Sequence, residues 1–194
     1  MKSSHFRKFG RQALKTAYFA SRFSLPKTHR LPFRVIHLPS GEPAVKGAPC
    51  HASIAHTRGW AVGAVAEHAI GVDIEHIRNR PYATELLHYI VSPDEYIDIV
   101  FRETNMARIL TLLWVIKESV RKCLGIRRPV DPKELIIFKR MRKIFFVRWR
   151  KNDAIYKVRV NKREKTLIAR AFPAHVREQA TYRVIRSYAN IHIQ

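Results

Sequence analysis

The sequence predicts an α+β protein built from two similar α/β halves, residues 1–80 and 81–194. Two observations carry that prediction. A helical pattern followed by short β-type runs occurs twice, before and after about residue 80. The runs beyond Gly125 are β-branched and aromatic, and several alternate apolar residues with Lys or Arg, as in "YKVRV". The chain has 194 residues, 46% of them hydrophobic. That is enough for a real core and too apolar for a disordered basic tail. No literal repeat and no clear linker separates the halves.

The elements follow in order. "HFRKFGRQALKTAYFASRFS" reads as a helix, with Phe9, Leu14, Ala17, Tyr18 and Phe23 roughly on one side. It is basic and amphipathic and has no signal-peptide apolar core. "LPFRVIHL" reads as a short strand, and "PSGEPAVKGAP" as a turn-rich loop. Three β-type runs come next, "HASIAHT", "WAVGAVA" and "AIGVDIE", with turns at Arg58-Gly59 and Glu67-His68. Residues 84–91 look helical. "SPDEYIDIVFRE" opens like a helix, with Ser92 as cap, Pro93 in the first turn and Glu95 three residues on from the cap. "NMARILTLLWVIKESVRKCLG" is the strongest helical pattern, capped by Asn105 and ended by Gly125. "ELIIFK", "KIFFVRWRK", "AIYKVRVN", "TLIARAF" and "TYRVIRSY" then read as a β-meander with one basic, solvated face.

Charge narrows the function. The formal net charge is +22, yet the acids are not scattered. Residues 1–41 contain none, and residues 67–118 hold nine of the fifteen. Basic flanks imply an anionic partner, and composition alone favours nucleic acid. The acidic centre points to something more specific. Two cysteines, Cys50 and Cys123, make no disulfide framework, so a reducing, cytoplasmic setting is expected. No apolar run reaches the roughly 18 residues of a membrane helix.

In a strand, residues two apart share a face, so Asp73 and Glu75 of "GVDIE" project together, with Ile74 directed to the core. Paired carboxylates repel and call for a cation, and oxygen-only ligation suits Mg²⁺. Solvent-exposed acids at a strand end would read the same way. In "WVIKESVRKCLG", Trp114, Glu118 and Lys122 share one helix side. Glu118 and Lys122 are either a surface ion pair, or a third oxygen ligand and a phosphate-binding cation. Trp114 is the kind of residue that usually packs in a core. His56 in "IAHTRGW" ends a short strand, where a phosphate contact is open to it.

Taken in order, "IAHTRGWAVGAVAEHAIGVDIEHI", "VSPDEY" and "LLWVIKESVRKCLG" resemble the 4′-phosphopantetheinyl transferase superfamily, in its fused two-half, surfactin-synthetase-activating type. That family shows a Ser-His turn, a "GVDIE"-like strand and a "WxxKExxxK" helix. "SGEP" at residues 40–43 is similar to its "GKP" loop. The resemblance runs from about residue 5 to 138.

It implies pseudo-duplicated halves with the active site at their junction, and a monomer. It implies transfer of the phosphopantetheine arm of coenzyme A to a serine of an apo acyl, peptidyl or aryl carrier protein, releasing adenosine 3′,5′-bisphosphate. Asp73, Glu75 and Glu118 would hold Mg²⁺. Glu118 would also be placed to take the serine proton. Lys122 would face the pyrophosphate and His56 a phosphate. Arg7, Lys8 and Arg11 of the first helix would reach the 3′-phosphate or its surroundings. The basic surface would suit an acidic carrier. Fatty-acid, polyketide and nonribosomal-peptide carriers all fit, and fused members often serve secondary metabolism. Two residues depart from the pattern. Ala55 replaces the serine before His56, and Glu42 reverses the charge of the "GKP" lysine, a loss for which Lys46 could compensate. Two other readings compete: a basic nucleic-acid-binding module, and a weakened transferase fold kept for binding.

Overall fold

The computed structural model describes residues 3–21, 33–95, 105–125, 130–176 and 180–186. The first amphipathic pattern forms helix α1, Ser3–Ala20, which buries Ala13, Leu14, Ala17 and Tyr18. Among the described residues no helix is long and apolar enough to cross a membrane.

Strands β1 (Val35–His37) and β2 (Pro43–Val45) pair antiparallel as a small ribbon. The loop expected over "PSGEPAVKGAP" therefore contains a strand. Its turn is closed by the Leu38 amide donating to the Glu42 carbonyl at 2.9 Å and the Gly41 amide donating to the Leu38 carbonyl at 2.8 Å. Gly41 sits at φ 89°, which a residue with a side chain rarely adopts. Proline and glycine signals marked the turn and hid the three-residue strand beside it.

Strands β3 (His51–Thr57) and β4 (Trp60–Ala66) form the expected hairpin, and β5 (Gly71–His76) follows. Helix α2 spans Ala83–Ile90 and helix α3 spans Met106–Cys123. The Asn105 side chain caps α3 by accepting from the Arg108 amide at 3.0 Å, and Gly125 takes φ 64° just past its end. A 3₁₀ turn at Pro132–Glu134 leads into β6 (Leu135–Met141), β7 (Ile144–Trp149), β8 (Ala154–Arg163) and β9 (Thr166–Pro173). These four strands are a true meander, with Tyr156, Val158 and Val160 of β8 buried and Lys157 and Arg159 between them half-buried on the opposite face.

The last strand, β10 (Ala180–Arg186), leaves the meander. It pairs with β4, giving a three-stranded sheet of order β10-β4-β3. In turn β5 leaves β4 and pairs with β9, giving a five-stranded sheet of order β5-β9-β8-β7-β6. Each sheet thus takes one strand from the other side of residue 80. This explains why β9 is buried nearly throughout while β8 alternates: on one face Leu167, Ala169 and Ala171 join the α3 cluster, and Ile168 joins the cluster around β3 and β4.

The cap expected at Ser92 is present. The Ser92 amide donates to Glu95 Oε2 at 2.8 Å, and the Ser92 hydroxyl accepts from the Asp94 amide at 3.4 Å. Residues 96–104 of that expected helix lie outside the described residues. Glu95 has a second task. Its carboxylate receives Lys117 Nζ of α3 at 2.7 Å and the Ile137 amide of β6 at 3.1 Å, while Lys117 also donates to the carbonyls of Ile90 and Pro132. Both charges are buried, and this network ties α2, α3 and β6 together.

Candidate active site

A cleft of about 650 Å³ opens where α1, the β1–β2 ribbon, β3 and the C-terminal end of α3 converge. Five cationic or imidazole residues line it: Arg11, His37, His56, Arg121 and Lys122. Glu42 is the acid among them. The cleft is therefore suited to an anion, with one feature that opposes it.

The acids approach this wall from β5. Gly71 allows it: a Cβ there would overlap the Ser119 carbonyl oxygen and the Cys123 amide of α3. With strand and helix backbones in such close contact, Asp73 comes within reach of the helix's last turn. Lys122 Nζ donates to Asp73 Oδ1 at 2.7 Å. On the other side, the Ser53 hydroxyl of β3 accepts from the Val72 amide at 3.0 Å, fastening β5 to the three-stranded sheet. Val72 and Ile74 fill the apolar cluster around β3 and β4.

Asp73 is 7% exposed, so it is no solvent-facing strand end. Burial pushes its carboxyl up from the ordinary value, the Lys122 ammonium pulls it down, and Glu118 pushes it up again. Its second oxygen, Oδ2, is buried with no hydrogen-bond partner among the described residues. Glu75 is half-buried, and burial followed by the charge of Asp73 raises it too. It accepts from the Thr57 hydroxyl at 3.4 Å, with Arg80 Nη2 4.0 Å away.

Glu118 and Lys122 do not pair with each other. Lys122 is taken by Asp73, and Glu118 is held by Arg121, whose Nε donates to both carboxylate oxygens at 2.9 and 3.0 Å and whose Nη2 donates to Oε2 at 2.8 Å. Trp114 packs against the α3 core cluster as expected. His56 lies at the cleft, where partial desolvation and then the nearby Lys122 hold its imidazole below the usual value.

Other residues singled out from the sequence fall differently. Arg11 reaches the cleft, whereas Lys8 and Lys46 are exposed and do not line it. The side chain of Arg7 lies outside the described residues. Ala55 is buried in the cluster around β3 and β4, so its missing hydroxyl is replaced by apolar packing. Glu42 points its carboxylate at Gly125, where a Cβ would overlap its Oε1. Arg121 and Ser53 escaped the sequence reading, and Gly71 entered it only as the first residue of "GVDIE". Arg121 alone carried a usable signal, its i, i+3 spacing from Glu118.

Among the described residues, no group of three or more His, Cys, Asp or Glu side chains is arranged to hold a metal ion. Asp73 nonetheless feels the charge of Glu118, and Glu75 that of Asp73. An orphaned carboxylate oxygen beside two like charges is the donor chemistry that suits a hard divalent cation. Asp73 would offer Oδ2 while Oδ1 holds Lys122, and Glu75 would offer a carboxylate whose contacts to Thr57 and Arg80 are 3.4 and 4.0 Å long. The third would have to share or exchange its contact with Arg121.

Comparison with known proteins bears on this arrangement. The chain is 32% identical over 88 residues to the 4′-phosphopantetheinyl transferase psf-1 of Bacillus pumilus, covering 44% of this chain and 37% of that protein. It is 30% identical over 117 residues to enterobactin synthase component D of Escherichia coli O157:H7 and of Shigella flexneri, covering 56% of this chain and 57% of each of those proteins. The matches thus span less than two thirds of the relatives' length. The model of the 4′-phosphopantetheinyl transferase superfamily matches residues 69–182. That match takes in more than half of the chain, including β5 and the whole of α3, and the chain belongs to the 4′-phosphopantetheinyl transferase superfamily.

Proposed function

We propose that the protein transfers the 4′-phosphopantetheine arm of coenzyme A to a serine of an apo carrier protein and releases adenosine 3′,5′-bisphosphate. The observation that carries this reading is the contact of Lys122 on α3 with Asp73 on β5 at the wall of a cationic cleft. It joins the two matched motif segments at a place suited to a pyrophosphate. The serine oxygen attacks the phosphorus that bears the pantetheine arm. A new P–O bond forms, the P–O bond of the pyrophosphate bridge breaks, and the bisphosphate leaves with the electron pair.

Asp73, Glu75 and Glu118 are the residues that would hold Mg²⁺. When bound, the ion neutralises charge on the phosphate oxygens. The chain's own residues do the rest. Lys122 turns from Asp73 to the charge that develops on the pyrophosphate. His56 and Arg11 hold phosphate oxygens from the cleft wall. Glu118 takes the serine proton. The active site then lies between two similar α/β halves, as in fused two-half members, and a single chain supplies it. The carrier is acidic around its serine and docks on the basic surface. Peptidyl or polyketide carriers of secondary metabolism are the first to try. The nucleic-acid reading accounts for the charge of +22 and leaves the Asp73–Lys122 contact without a purpose.

The test is the intact mass of the carrier. Incubation with coenzyme A and Mg²⁺ is expected to add one phosphopantetheine to an apo acyl, peptidyl or aryl carrier. No mass gain on any of the three classes would reject the reading.

A further inference from the structure

Arg121 stands where the cleft meets the acids. It lines the cleft beside Lys122, and its side chain is 35% exposed. Its Nε and Nη2 grip Glu118, which is 20% exposed. Those bonds occupy one edge of the guanidinium. The group carries five N–H donors in a planar fork. Nη1 has no hydrogen-bond partner among the described residues, so donors remain on the outer edge.

Glu42 brings a negative charge into the same cleft, next to Gly125 just past the end of α3. A carboxylate there repels any phosphate that enters. A guanidinium already anchored on its inner edge loses little freedom when its outer edge takes an anion, and its fork matches phosphate geometry. Lysine and imidazole lack that bidentate match.

We propose that Arg121, positioned by Glu118, is a phosphate-binding residue of the cleft and offsets the charge of Glu42. The ligand's identity as coenzyme A rests on the function proposed above. Binding of a phosphate-bearing ligand by Arg121 does not.

The experiment is titration calorimetry on the full chain, without metal, using coenzyme A, dephospho-coenzyme A and inorganic pyrophosphate as probes. Arg121→Gln is expected to weaken coenzyme A binding at least about tenfold. Arg121→Lys recovers part of the loss, because it keeps the charge and loses the fork. Glu42→Gln acts in the opposite direction and tightens binding several-fold, on the order of one removed like-charge contact. A loss shared by dephospho-coenzyme A and pyrophosphate assigns Arg121 to the pyrophosphate. A loss confined to coenzyme A assigns it to the 3′-phosphate. Either supports the proposal. Affinity within about twofold of the wild type for all three probes, at an unchanged melting temperature, overturns it, as does a wild-type chain that binds none of them. If Arg121→Gln melts early, Arg121→Lys and Glu42→Gln decide: unchanged affinity in both overturns it. Binding that follows Arg121 without carrier modification would sink the transferase reading alone. Carrier modification with binding indifferent to Arg121 would sink only this inference.

Discussion

Asp73 and Glu118 are the residues on which the proposed chemistry turns, and each is neutralised by a cation of α3. Asp73→Ala and Glu118→Ala are each expected to lower carrier modification by at least about a hundredfold while the protein still melts cooperatively. Full activity in either variant would remove that residue from the metal set. Cysteine reactivity tests the burial around them. Cys123 lies under Gly71 at the end of α3, and burial with the charge of Glu42 pushes its thiol up to about 12. At pH 8 its thiol stays almost wholly protonated. Cys50 is raised too, but it is half-buried rather than enclosed. Iodoacetamide is expected to label Cys50 in the native chain and Cys123 only in denaturant. Equal labelling in the native chain would show that α3 and β5 are not packed as described. Asp73, Glu118 and Lys122 were legible because their spacing matches a pattern. The partner each side chain takes was not, because Lys122 could reach Glu118 one turn away or an acid 49 positions distant, and only packing decides between them.

At the scale of elements, the site depends on the approach of β5 to α3, and Gly71 is what permits it. Gly71→Ala places a methyl group against helix backbone, which cannot yield as a side chain can. It is expected to cost about 1–3 kcal/mol in urea denaturation and to reduce transfer further by separating Lys122 from Asp73. Wild-type stability in that variant would mean that the strand does not press on the helix. Most elements were legible because their periodicity is strong: α1, α3 with both its caps, and the β3–β4 hairpin all fall where apolar spacing and turn residues place them. The β2 strand was not, because three residues are too few to show a period. The buried Lys117–Glu95 pair was not either, since a lysine between Ile116 and Glu118 reads locally as a helix-surface charge.

At the scale of the whole molecule, charge and strand exchange matter most. With a formal charge of +22, long-range attraction should steer an acidic carrier. Raising salt from about 50 to 500 mM, which shortens the screening length severalfold, is expected to raise the carrier's KM and leave kcat nearly unchanged. A salt-independent KM would count against electrostatic docking. The sequence by itself determined the mixed helix-and-strand class, helices α1, α2 and α3, the β3–β4 hairpin, the acidic centre between basic flanks, and the two motifs that lie inside the family match. These are local patterns, and local sterics and periodicity write them directly into the chain. Only the tertiary structure decided that β5 joins β9 and β10 joins β4, that Asp73 is buried against Lys122, and that Arg121 rather than Lys122 holds Glu118. Strand partners and ion pairs far apart in sequence are chosen by which faces must be buried together, and no window of residues contains that information.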